Sequence, residues 1–287
     1  MTAATIDPRT MTRSETASAG PRLSFGGLIK SEAIKLLSLR STYWGSLITV
    51  VAAVGIAAMM TFSLAWVFTN GEATQPVTDG LWVLAANQGV AFVFAITGVV
   101  MGVLVAASEY ASGSIRSTLA VAPRRGWVLT AKAVVTLVYA LIVAAITEAI
   151  AIGVAVLIAS SDGLATPFGL DGLRMALGAV FYFVAAALVG LGLGFILRST
   201  AGGITAGIGL FFVVDLVLRM ATANDVVKAI RDVTPAAAGA RIYTVGESAE
   251  AAVVQGLGGY GGGFVVLAAW IVAALIGGYV VLKKRDA

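Results

Sequence analysis

A chain of 287 residues that is 59% hydrophobic, 12% charged and of net charge +4, with a mean hydropathy of +0.96, carries about half the charge of an ordinary soluble domain. It contains no cysteine and no histidine, which excludes disulfides, thiol chemistry and the commonest zinc ligands and argues against haem or iron–sulfur centres. The composition describes an all-α polytopic membrane protein, whose solvent is the bilayer and whose backbone polar groups must be satisfied inside helices.

Residues 1–22 are polar and contain no apolar run, so they read as a disordered cytoplasmic tail and not as a secretory signal. Residues 23–42 mix Leu28, Ile29, Leu36, Leu37 and Leu39 with Lys30, Glu32, Lys35 and Arg40 at roughly helical spacing. That pattern predicts an amphipathic helix along the inner membrane surface, its basic side chains near anionic headgroups, where it also helps to set topology.

Residues 43–287 form the transmembrane domain. A spanning helix needs about 20 mostly apolar residues, and six stretches qualify: Trp44 to Phe68, Gln88 to Ala107, Val128 to Ser160, Met175 to Leu197, Ala201 to Leu218 and Phe264 to Leu282. With the N-terminus inside, 14 of the 19 Lys and Arg residues fall on the cytoplasmic side and five outside. The first outer loop, NGEATQPVTDG, has two acids and no base. The excess of inner basic residues places both termini in the cytoplasm.

The second inner connection, residues 108–127, is long, basic and rich in small residues, where a plain turn would join two spans. Part of its charge is what any inner loop carries. The outer connection, residues 221–263, is broken at Pro235 and Gly246 and predicts short helices that pack on or dip into the outer leaflet. GLGGYG at 256–261 matches G-x-G-x-x-G, but no strand precedes it, and it reads as a flexible lead-in to the last helix.

Small residues recur four apart at Gly98 and Gly102, Gly190 and Gly194, and Gly203 and Gly207, a spacing that lets helix backbones approach closely. It leaves open which helices meet, and whether they meet within one subunit or between two. Two acids lie inside apolar runs. Glu148 has no partner within a turn of its own helix, whereas Asp215 has Arg219 four residues on. Intramembrane acids face protein or water, so both are candidates for a substrate or proton path, with a local ion pair as the simpler account of Asp215.

No Gly-Lys dipeptide occurs anywhere, so the phosphate-cradling loop of an ATPase is absent, as are a nucleophile elbow and paired loop carboxylates. Against that background, Glu109, Gly113, Ser114, Ile115, Arg116, Leu119, Pro123 and Lys132 resemble the E-x-x-x-G-[ST]-[IL]-[RK]…L…P-x-[SR]-R…K pattern that six-helix type 2 permeases of ABC exporters carry between their second and third spans. Arg124 and Arg125 depart slightly from the usual P-x-S-R form. SEAIKLLSLRSTYW likewise resembles that family's short helix before the first span.

The resemblance implies a coupling element that docks on a separate ATP-hydrolysing subunit, with Glu109 and Arg116 pairing with each other or with that partner. ATP and Mg would then reside on the partner, and this chain would itself be no enzyme. A second permease subunit, identical or similar, would complete the path in a bacterial cytoplasmic membrane; membrane lipid is a further partner, and no nucleic acid is expected. Apolar walls suit an amphiphilic substrate such as a drug, peptide antibiotic or lipid. The alternative is an ion-coupled secondary transporter in which Glu148 and Asp215 titrate, although no repeated half or broken midplane helix pair is evident. A membrane anchor or sensory subunit is a third reading.

Overall fold

A computed structural model describes residues 24–73, 76–121, 124–221, 225–244 and 258–284. Helix accounts for 88% of them and none is in a strand. Six helices are long and apolar enough to cross a membrane, and the chain is an all-α, multi-pass membrane protein. The tail expected over residues 1–22 lies outside the described residues.

The predicted interfacial helix is α1 (Phe25–Ser38), started by Ser24, whose hydroxyl accepts from the Gly27 N–H at 3.0 Å. It is shorter than the expected 23–42. Leu39 adopts an extended conformation and breaks the helix, and Arg40 becomes the first residue of the first span, α2 (Arg40–Thr69). Leu28, Glu32 and Leu36 form the buried stripe of α1 at four-residue spacing. Leu28 packs on Val128 and Ala131, and Phe25 meets Trp127 edge to face at 5.8 Å.

The second span is α3 (Leu81–Ser112), and the third is α5 (Arg125–Ser161). Both extend beyond the predicted apolar stretches, so the polar connection between them narrows to Gly113–Arg124, most of it the short helix α4 (Ser114–Val121). The fourth span is α6 (Leu170–Leu197). The fifth combines α7 (Thr200–Ile208), a π-helical turn over Gly209–Val213, and α8 (Val214–Met220). On the far side follow α9 (Asp225–Asp232) and α10 (Pro235–Tyr243), and the sixth span is α11 (Gly259–Lys284). Of the G-x-G-x-x-G match, Gly259, Tyr260 and Gly261 are simply the first residues of α11.

The central helix is α6: 78% of the residues in its 18-residue apolar stretch are buried, against 22% for α2. The glycine spacing explains why. A Cβ on Gly102 would strike the Ala187 carbonyl, one on Gly190 would lie 2.5 Å from the Val99 carbonyl, and one on Gly98 would lie 2.9 Å from the Ala186 methyl. Gly194 meets Val103 and Ala106 in the same way. Two of the three small-residue pairs therefore form one seam between α3 and α6, inside a single subunit. The third, Gly203 and Gly207, seats α7 against the Val103 and Val99 side chains of α3. Backbones brought this close gain dispersion contacts that lipid tails cannot match.

Of the two short helices, α10 packs into the bundle. The Cβ position of Gly178 on α6 abuts the Ile242 carbonyl, and that of Gly263 on α11 lies 2.6 Å from the Ala238 carbonyl. Asn87 fastens this end, its amide donating to the carbonyls of Met175 (3.3 Å) and Tyr243 (3.0 Å). At the opposite end, Arg125 donates to the Leu282 carbonyl at 2.6 Å and Arg198 to the Val281 carbonyl at 3.3 Å. Both guanidiniums thus satisfy orphan carbonyls in the last turn of α11. The start of α5, the end of α6 and the end of α11 meet there.

Candidate functional site

Four charged side chains converge at the end of the molecule that carries α1 and α4. Glu32 and Lys35 are one turn apart on α1, Glu109 is in the last turn of α3, and Lys132 lies two turns into α5. Lys132 Nζ donates to Glu32 Oε2 at 2.6 Å, to Glu109 Oε1 at 2.8 Å and to the Val105 carbonyl at 3.5 Å. Lys35 Nζ donates to Glu32 Oε1 at 2.8 Å, to Glu109 Oε1 at 3.1 Å and to Thr118 Oγ1 at 3.4 Å. Each ammonium has three hydrogens and each finds three acceptors.

The side chains of Lys132 and Glu32 are 2% and 4% exposed, whereas that of Lys35 is 46% exposed at the rim. Burial pushes the Glu32 carboxyl up, but the ammonium groups of Lys132 and Lys35 outweigh it and hold the pKa below its ordinary value. For Lys35, burial works downward, and the Glu32 and Glu109 carboxylates reverse it, so its pKa is raised. A paired cluster of this kind keeps its charges because each desolvated ion faces its counter-ion at hydrogen-bond distance. It also joins four elements. Pulling on α4 through Thr118 pulls on α1, α3 and α5 together.

Gly113 caps α3 with φ 71° and its N–H donates to the Tyr110 carbonyl at 3.2 Å, so the chain reverses there into Ser114 at the start of α4. Ile115, 3% exposed, anchors α4 inward. Ser114, Arg116, Ser117 and Ala120 are exposed. Leu119 lies within α4, and Pro123 lies outside the described residues. Arg124 is exposed and stacks over the Trp127 ring at 4.6 Å.

The sequence motifs thus divide. Glu32, Lys35, Glu109 and Lys132 come together. Arg116 does not pair with Glu109, whose carboxylate is held by the two lysines instead; Arg116 points away on the exposed face of α4. Lys30 and Arg40 are exposed and lie outside the cluster. Lys35 turns inward to carboxylates, not only outward to headgroups. Thr118 is a member that residue reasoning missed, because a threonine carries no charge signal and its contact spans 83 residues of chain.

The two intramembrane acids also separate. Asp215 Oδ2 accepts from Arg219 at 2.5 Å and Oδ1 from Arg231 at 3.2 Å, tying α8 to α9 as a local ion cluster. Glu148 is 2% exposed, and neither of its carboxyl oxygens has a hydrogen-bond partner among the described residues. No group of three or more potential metal ligands occurs among the described residues.

The model of a family described as a protein of unknown function, DUF2705, matches residues 47–287. No curated protein matches the chain.

Proposed function

We propose that this chain, a member of the DUF2705 family of proteins of unknown function, is the transmembrane permease subunit of an ATP-driven exporter of the ABC type. The observation that carries this reading is the mounting of α4. A short helix is suspended between two spans, anchored inward by Ile115 and by the Lys35–Thr118 contact, with Arg116, Ser117 and Ala120 exposed outward. An ATPase that changes shape needs a stiff lever held at both ends, and buried ion pairs across α1, α3 and α5 supply the stiffness. The chain holds no phosphate-binding loop, so ATP and Mg belong to a separate subunit docked on α4.

A second permease subunit completes the path, in a bacterial cytoplasmic membrane with the α4 end inside, and the cargo is an amphiphile moved outward. The test is gentle purification of the tagged chain from its host, with mass spectrometry of what accompanies it. A stoichiometric ATPase, lost when residues 109–116 are altered, supports the reading; a chain with no ATPase under any detergent condition defeats it.

One observation favours a second reading. Glu148 is a buried carboxyl without a hydrogen-bond partner among the described residues, and such a group inside a membrane is a candidate proton carrier. In that case vesicle transport persists without ATP and collapses with an uncoupler, and Glu148→Gln abolishes it.

A further inference from the structure

Outside the spans, α9 is turned inside out. Asp225, Lys228, Arg231 and Asp232 fall on one side of it at helical spacing, and Val226, Ile230 and, just past its end, Val233 fall on the other. A helix that rests on a protein in water turns its apolar stripe inward. Here the polar side is the one tied to the bundle. Arg231 Nε donates to Asp215 Oδ1 at 3.2 Å, and Asp232 is buried beside Arg241. The apolar side faces away, with Val226 64% and Ile230 51% exposed and Val233 exposed after them.

The C-terminal end of α9 needs no water either. The last carbonyls of a helix have no partner within it and require caps or solvent. Those of Ile230, Arg231, Asp232 and Val233 all receive protein donors. Ile230 accepts from the Val233 N–H (3.3 Å), and Arg231 from the N–H and hydroxyl of Thr234 (both 2.8 Å). Asp232 accepts from the Arg241 guanidinium (2.6 Å), and Val233 from the Trp270 indole N–H (2.8 Å). A hydrocarbon surrounding demands that backbone groups be satisfied in this way. At the other end, Asp225 and Lys228 pair at 3.0 Å and keep solvent-exposed side chains.

The stripe also continues a membrane surface. Val213, Leu216, Val217 and Met220 recur three and four apart near the end of the fifth span and are exposed, Met220 by 83%. The solvent of that face is lipid, and α9 begins shortly after it, at Asp225.

We propose that α9 is a lipid-embedded helix. It enters the leaflet at its own end of the bundle with Val226, Ile230 and Val233 against acyl chains, while Asp225 and Lys228 stay among the headgroups. Asp215 is its positioning residue. One carboxylate holds Arg219 of α8 and Arg231 of α9, which fixes α9 against the end of the fifth span. This inference goes beyond the exporter reading and needs no ATPase, second subunit or cargo.

The chain contains no cysteine, so single cysteines can be introduced without background. Val226→Cys, Ile230→Cys and Asp225→Cys in the full-length protein are labelled with a nitroxide and reconstituted into phosphatidylcholine–phosphatidylglycerol vesicles. Paramagnetic resonance then compares collisions with oxygen, which concentrates in hydrocarbon, and with a nickel chelate, which stays in water. Oxygen should exceed nickel at positions 226 and 230, and the order should reverse at 225. Arg231→Gln, which severs the tie to Asp215, should raise nickel access at 230 toward the value at 225. Nickel ahead of oxygen at 226 and 230 would put the stripe in water and overturn the proposal. Low access to both probes there would mean that protein covers the stripe, and would overturn it equally. Unchanged access at 230 in Arg231→Gln would remove Asp215 from its positioning role. All three labelled positions are exposed, so the label displaces no core residue. Because no ATPase enters the measurement, either result leaves α4 docking to its own test.

Discussion

Lys132 Nζ lies 2.6 Å from Glu32 Oε2 across 100 residues of chain, with both side chains almost wholly buried. An ammonium in that position has no water to fall back on, and its two carboxylates have only Lys35 besides it. The pair is the pin that fixes the interfacial helix α1 to the third span.

Lys132→Met leaves Glu32 and Glu109 facing each other without their buried counter-ion. Breaking a buried pair by removing one partner costs about 3–5 kcal/mol, so the variant should unfold at a clearly lower temperature in detergent. Lys132→Met combined with Glu32→Leu should recover part of the loss, as an apolar replacement of a buried pair often does. A double variant as unstable as the sum of the single ones would show that the two residues do not act as a pair.

The same cluster sets a pH window for α1. Glu32 has a folded pKa below its ordinary 4.5, so its contribution is complete above pH 4.5 and is lost as the pH falls through the lowered value. Lys35 is raised above 10.5, so its contribution is complete below pH 10.5 and is lost as the pH rises through the folded value. Because Lys35 is half exposed, its share is the smaller of the two. Amide exchange in Phe25–Ser38, corrected for intrinsic rates, should stay flat between these limits and rise beyond them. A transition near neutrality would contradict this assignment.

At the α3–α6 seam, Gly102→Ala places a methyl against the Ala187 carbonyl, which is backbone and has no side-chain freedom to yield. Overpacking of this kind costs typically about 1–3 kcal/mol. Gly153→Ala on α5, where a Cβ meets nothing within 4 Å, should be neutral or slightly stabilising, since alanine is the better helix former. Equal melting temperatures for the two variants would refute the seam.

The outward face of α4 should behave differently from its anchor. Arg116→Glu and Ala120→Trp alter exposed positions and should leave the stability within about 0.5 kcal/mol of wild type. On the exporter reading they abolish the ATPase stimulation of the assembled transporter. Ile115→Asp buries a charge and should instead destabilise the chain itself. Full stimulation in both exposed-face variants would remove α4 from the coupling path.

The spans were legible in the sequence because bilayer thickness imposes a local rule: about 20 apolar residues in a row, whatever their neighbours. The stripe of Leu28 and Leu36, the small-residue pairs and the Asp215–Arg219 turn obey similarly short-range periodicities, and the structure realises each. Where α1 stopped was not legible, because Leu39 is as apolar as its neighbours and only its extended backbone breaks the helix.

Glu32, Lys35, Glu109 and Lys132 can be singled out one by one, but the sequence pairs Glu109 with Arg116 or with a partner subunit, whereas in the fold its carboxylate meets Lys35 and Lys132. Which cation a carboxylate meets depends on how helices distant in sequence are packed, and the α3–α6 glycine seam and the docking of α1 on Val128 and Ala131 decide it. The cleft of about 660 Å³ beside the ion network belongs wholly to that level as well. It exists only because α1, α2, α3 and α4 surround one space. Local rules thus chose the helices and their buried faces. The meeting of four charges drawn from three helices, and the shape of the space beside them, followed from packing alone.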